Sequence, residues 1–161
     1  MVVQVPNDAT YINNLTALII SGTASDAISS ISKVQVSIKN GSNYWSGTHN
    51  DVGSFGSLNY VTADLTNNPT WVFTIPTGQL TEDFVHNQTY DIQARASDMA
   101  GSTSAFTAVR TITYDIEIPT GVVVVPGSYM SGSQPSITGT AIDAVAGVAE
   151  EVRLPAAGRD A

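Results

Sequence analysis

Apolar residues alternate with polar ones over stretch after stretch of this chain, and they almost never recur at the i, i+3, i+4, i+7 spacing of an amphipathic helix. Val34, Val36 and Ile38 alternate with Gln35, Ser37 and Lys39, and Trp71, Phe73 and Ile75 with Val72 and Thr74. Tyr90, Ile92, Ala94 and Ala96 alternate with Asp91, Gln93, Arg95 and Ser97. A period of two sets one side of a pleated strand against the core, so each run needs a second apolar layer to cover it. Turn clusters separate the runs, among them Asn40-Gly41-Ser42-Asn43, Asn67-Asn68-Pro69 and Ala100-Gly101-Ser102. The pattern predicts an all-β, antiparallel sandwich of seven to eight strands. Expected strands cover residues 2–5, 15–24, 31–39, 43–47, 58–65, 70–76, 89–97 and 104–114. The last needs a bulge, because Phe106 and Ile112 share parity with Arg110 while Val109 does not.

Charge narrows the functions open to such a chain. The 161 residues carry a formal net charge of −8, and only 12% of them are charged. A nucleic-acid binder needs a basic stripe to neutralise phosphates, and an interfacial membrane helix needs Lys and Arg on its polar face, so neither partner is expected. No apolar run approaches the length of a membrane-spanning helix. Residues 1–6 have neither the charged start nor the apolar core of a secretory signal, which points to a segment of a longer precursor. Without cysteine there is no disulfide and no thiolate metal site. A surface rich in Ser, Thr, Asn and Gly and poor in Lys leans the reading to an extracellular or cell-surface location.

One hexapeptide returns. Gly22-Thr23-Ala24-Ser25-Asp26-Ala27 is echoed by Gly139-Thr140-Ala141-Ile142-Asp143-Ala144, five matches in six at a spacing of 117 residues. Upstream of each copy stands a Val-rich stretch ending in Val-Pro, at Val5-Pro6 and Val125-Pro126, with a tyrosine beyond it, Tyr11 and Tyr129. Downstream, Val34-Gln35-Val36 is echoed by Val152-Arg153-Leu154. The expected organisation is therefore one full module over residues 1–118 and the first strands of a second copy over 119–161. A partial sandwich with neither disulfide nor metal lacks the core to stand alone, so the second copy is expected to be marginal by itself.

The order of segments also resembles a known family. Ser21-Gly22-Thr23-Ala24-Ser25-Asp26, Ile31 to Ile38, Tyr44-Trp45-Ser46-Gly47, Trp71-Val72-Phe73-Thr74-Ile75-Pro76 and Tyr90 to Ser102 follow one another as in bacterial immunoglobulin-like repeat domains. These domains occur in tandem in large secreted or surface proteins, adhesins among them. In that family the linker often reads Asp-x-x-x-Pro-Thr, which Asp115-Ile116-Glu117-Ile118-Pro119-Thr120 matches. The Asp-x-Ala-Gly motif at Asp98 ends here in Ser102 where the family usually has Asn. Leu80 followed by Tyr90 resembles the tyrosine corner of such sandwiches, which gives Tyr90 a structural role. The resemblance implies a non-enzymatic structural or adhesive module in a tandem stalk, with neighbouring repeats as partners. The alternatives are a carbohydrate-binding accessory module of a secreted enzyme and a fibre subunit that pairs exposed strand edges with other copies.

Candidate chemistry is sparse. His49 and His86 stand alone in loop-like stretches, and Glu82-Asp83 and Glu150-Glu151 are chain neighbours that would point apart on a strand, so no catalytic residue is expected. Calcium is the one cofactor considered: Asp115, Glu117 and Asp143 could gather at the junction between repeats, with Asp26 and Asp98 as weaker ligands. The plainer account of Asp26 and Asp98 is that they cap their own turns. For the carbohydrate alternative the stacking residues would be Tyr44, Trp45 and Tyr60, against a plainer role in the core or at its edge. Lys33 and Lys39 alternate outward, which argues against a buried Lys–Asn isopeptide bond.

Overall fold

The computed structural model describes residues 1–47, 55–67, 69–125 and 138–148. The chain divides into two compact units, Met1–Ile116 and Glu117–Ala161.

Unit 1 is all-β, a sandwich formed by one long curled sheet. Its strands are β1 Val2–Val5, β2 Thr10–Ile12, β3 Leu18–Thr23, β4 Ile31–Asn40, β5 Asn43–Trp45, β6 Phe55–Gly56, β7 Val61–Asn67, β8 Thr70–Ile75, β9 Gln88–Asp98 and β10 Arg110–Tyr114, with one short helix, α1, over Thr77–Asp83. The strand order is β1-β3-β8-β7-β4-β9-β10-β2, with β5 and β6 extending from β4. β7 belongs to both layers: Val61 and Ala63 pair with Val36 and Val34 of β4, whereas Asp64 and Asn67 pair with Val72 and Thr70 of β8.

The alternating residues meet where the period of two places them. Val34, Val36 and Ile38 of β4 and Tyr90, Ile92, Ala94 and Ala96 of β9 are buried, as are Ile20 of β3 and Trp71 and Ile75 of β8. Each large side chain so covered contributes about 1.5–3 kcal/mol. Across β1, β3 and β8 runs one row, Val3 opposite Gly22 opposite Trp71. Gly22 sits in the middle because a Cβ there would strike the Val2 carbonyl, and the Trp71 indole would lie 2.8 Å from it. Glycine at this position lets the indole lean over the strand.

Three features differ from expectation. The sheet is mixed, because β2 runs parallel to β10, with Ile112, Thr113 and Tyr114 beside Thr10, Tyr11 and Ile12. The strand expected over 104–114 is regular only from Arg110. Before that, residues 103–107 hold β9 through hydroxyls: the Ala96 and Ala94 N–H groups donate to Ser104 Oγ and Thr107 Oγ1, and the Ser104 and Thr107 N–H groups return to the Ala96 and Ala94 carbonyls. The third difference is α1, capped by Pro76 and held by Leu80 N–H to Pro76 O and Phe84 N–H to Leu80 O. Leu80, Asp83 and Phe84 face inward, an i, i+3, i+4 face only two turns long.

Unit 2 contains, among its described residues, β11 Thr120–Val125 and β12 Thr138–Ile142, paired antiparallel. Val122 stands opposite Thr140, Val123 opposite Gly139 and Val125 opposite Thr138, with a bulge between Val123 and Val125. In unit 1, Val2 stands opposite Thr23, Val3 opposite Gly22 and Val5 opposite Ser21, with a bulge between Val3 and Val5. The two strand pairs thus share register, bulge and central glycine.

Candidate functional site

Asp26 lies on the loop after β3 and Asp98 is the last residue of β9, and both line one cleft of about 250 Å³ with Ser102, Thr103 and Ser104. Met99 N–H donating to Ser30 O at 3.0 Å ties the two loops together. Each carboxylate caps its own loop: Asp26 Oδ1 accepts from Ser29 N–H at 2.7 Å and Ile28 N–H at 2.9 Å, and Asp98 Oδ1 accepts from Ser102 N–H at 2.8 Å. The Ser29 and Ile28 N–H groups hold the Asp26 carboxyl below the usual carboxylate range. Ser102 thus bonds Asp98 through its backbone, and no side-chain amide is needed for that bond. In unit 2 Asp143 does the work of Asp26: its Oδ1 accepts from Val145, Ala146 and Gly147 N–H at 2.8–3.2 Å.

The junction acids are placed as follows. Asp115, the second-last residue of unit 1, is buried, and its Oδ1 lies 3.5 Å from His86 Nδ1, the nitrogen that accepts Ile116 N–H at 3.3 Å. Glu117 and Asp143 belong to unit 2. Among the described residues no three His, Cys, Asp or Glu side chains gather as a metal-ligand group. His49 and Glu150-Glu151 lie outside the described residues.

Aromatic residues build the opposite end of unit 1. Trp45 is a correction to the carbohydrate-stacking set: it is 2% exposed, and its Nε1–H donates to Asp83 Oδ2 at 2.8 Å. Its ring packs on Phe73 at 6.0 Å and Phe84 at 6.2 Å, so neither face is open to a sugar. Tyr44, its neighbour on β5, is half-buried. Over the Tyr60 ring the Arg95 guanidinium sits at 4.1 Å, and Phe106 stacks beside it at 5.7 Å. Asn59, the residue before Tyr60, donates to the Trp45 and Ser46 carbonyls at 3.1 and 2.7 Å, so the backbones are close while Trp45 is packed inward and Tyr60 lies under Arg95. Nothing in the local sequence pairs Tyr60 with Phe106, since the contact depends on the irregular 103–107 segment.

Tyr90 is fully enclosed. Its Oη accepts the Val85 N–H at 2.7 Å, and its ring packs 4.5 Å from Phe84 and 5.4 Å from Phe55. Burial pushes its phenol above the ordinary value, with the Val85 N–H pulling the other way. Burial raises Tyr114 likewise. Lys39 pairs with Asp91 at 3.6 Å on the outer face of β4, and Lys33 is exposed.

A strand pair, β2 with β10, joins the start of unit 1 to its end, and it is continued by Asp115 N–H donating to Ile12 O at 2.8 Å. No protein-family model matches the chain, and neither does any curated protein.

Proposed function

We propose that this chain is a non-enzymatic, force-bearing segment of a tandem stalk, built from immunoglobulin-like repeats of an extracellular or cell-surface protein. The observation that carries the mechanical reading is the parallel pairing of β2 with β10. Tension on the two ends of unit 1 pulls these neighbours in opposite directions along their length. All their hydrogen bonds are then loaded together in shear, whereas an antiparallel pair pulled from adjacent ends opens one bond at a time. The shared register of the β1–β3 and β11–β12 strand pairs supports the repeat. The acidic, Lys-poor surface keeps extended arrays soluble and mutually repulsive. Partners on this reading are neighbouring repeats.

The test is single-molecule extension. The absence of native cysteine lets attachment points be introduced one pair at a time. Pulled from its ends, unit 1 is expected to resist and then yield in one event that releases roughly 350 Å of chain. Pulled from Ser42 and Asn87, beside the adjacent ends of antiparallel β4 and β9, it is expected to yield at a several-fold lower force. Equal forces in the two geometries would refute the mechanical reading.

A further inference from the structure

The turn between β4 and β5 joins a reactive dipeptide to a side chain that closes a ladder. Asn40 pairs with Asn43, which leaves Gly41 and Ser42 as a two-residue loop. Gly41 takes the positive φ, 57°, that the first position of such a hairpin turn requires, and a Cβ on it would meet nothing within 4 Å. Gly41 is exposed and Asn40 half-buried. Among the asparagines of the sequence only Asn40 is followed by glycine. Asn40 shares the parity of Val34, Val36 and Ile38 and stands where that inward row reaches water. The last β4–β9 pair is Lys39 with Asp91, and beyond it Asn40 Nδ2 donates to the Thr89 carbonyl at 3.2 Å. The same side chain hydrogen-bonds the Tyr90 hydroxyl. The bond to Thr89 needs an amide, because a carboxylate has no proton to give and would set its charge against the carbonyl.

We infer that Asn40 is a site of spontaneous modification, at which the Gly41 nitrogen converts it to aspartate or isoaspartate. The Gly41 backbone nitrogen gives up its proton to solvent and attacks Asn40 Cγ; the new C–N bond closes a five-membered succinimide, and the side-chain nitrogen leaves as ammonia. Water then opens the ring at Cγ to give aspartate, or at the backbone carbonyl carbon to give isoaspartate, whose main chain runs through Cβ and Cγ. In sum one amide is hydrolysed by one water, and nothing is oxidised or reduced. Glycine favours the step because no side chain shields its nitrogen and its backbone turns freely. The extended backbone of a strand holds that nitrogen away from Cγ, so the reaction proceeds when the tip frays. The β4–β5 ladder is two pairs long, Lys39 with Tyr44 and Asn40 with Asn43, and so short a tip opens at low cost. Either product loses the bond to the Thr89 carbonyl. Isoaspartate also adds a methylene to the main chain of the turn, which moves Asn43 off Asn40 and loosens β5, the strand that carries Trp45.

The test uses the unaltered 161-residue chain, incubated in mildly alkaline buffer and followed by ion exchange and peptide mapping. An isoform one charge more negative than the −8 of the starting chain is expected, modified at Asn40 ahead of every other asparagine and accepting methyl groups from an isoaspartate-specific methyltransferase. A free peptide of residues 37–44 should convert faster, but by no more than about a hundredfold, because local fraying and not global unfolding admits the reaction. The purified isoform should unfold at a urea concentration about 0.3–1 M below that of the starting chain, and Asn40→Asp, which lacks the amide from the outset, should also unfold early. A folded chain that keeps Asn40 intact while the peptide converts, earlier conversion at another asparagine, or a converted isoform with an unchanged midpoint would each overturn the inference.

Discussion

Replacing Tyr90 by phenylalanine removes one oxygen from unit 1 and leaves everything else in place. The ring keeps its contacts with Phe84 and Phe55, so no cavity larger than a hydroxyl opens. What disappears is the acceptor for the Val85 N–H, held at 2.7 Å. A hydrogen bond of this kind contributes about 1 kcal/mol net, and stranding its donor adds about 1–3 kcal/mol when the donor is sealed from water. Val85 is 61% exposed, so water reaches the vicinity of its N–H and the total should settle at about 1–2 kcal/mol. With a urea dependence of about 1–3 kcal/mol per molar, the unfolding midpoint should fall by about 0.5–1 M at unchanged slope. Val85→Pro supplies the complementary deletion, because it removes the N–H while Phe84 already has the extended backbone that precedes proline comfortably. In the Val85→Pro background the Tyr90→Phe change should cost almost nothing. A Tyr90→Phe loss below about 0.3 kcal/mol, or full additivity of the two changes, would show that the hydroxyl does not anchor the corner.

Two further outcomes can be checked with the same apparatus. Gly22→Ala should destabilise unit 1 by about 3 kcal/mol, because the β1 backbone and the Trp71 indole must both shift. Gly78→Ala, where a Cβ meets nothing within 4 Å, should be neutral or slightly stabilising by thermal melting. Alkaline titration should also report the buried phenols. The folded-state values of Tyr90 and Tyr114 are raised above 10.0, so their contribution is complete below the unfolded value and is lost as pH rises through the folded one. Tyr90→Phe should flatten part of this alkaline limb, leaving the part due to Tyr114; an unchanged limb would contradict the assignment.

Long strands were legible in the sequence because their period is their burial. Val34-x-Val36-x-Ile38 and Tyr90-x-Ile92-x-Ala94-x-Ala96 leave no choice of face once a second layer exists. Short elements were not. β2 is three residues, Thr10, Tyr11 and Ile12, too few to show a period, and its parallel partner lies about a hundred residues away in the chain. α1 shows only Leu80, Asp83 and Phe84 as an inward face, and its remaining signal was Pro76 just before the first turn. The loop caps at Asp26 and Asp98 were readable because both partners are local in sequence. The fate of Trp45 was not, because what draws it inward is Asp83 on a helix that alternation does not reveal. The Arg95–Tyr60–Phe106 cluster was hidden for a related reason, since an irregular segment sets Phe106 beside β9.

β7 bears on how unit 1 comes apart. Its first half is a rung of one layer and its second half a rung of the other, so neither leaf is complete without the same seven residues. Melting one leaf withdraws a strand from its mate and bares the apolar side of both. The two leaves therefore lack independent melting points, and a reporter on β3 and a reporter on β9 should trace a single superimposable transition.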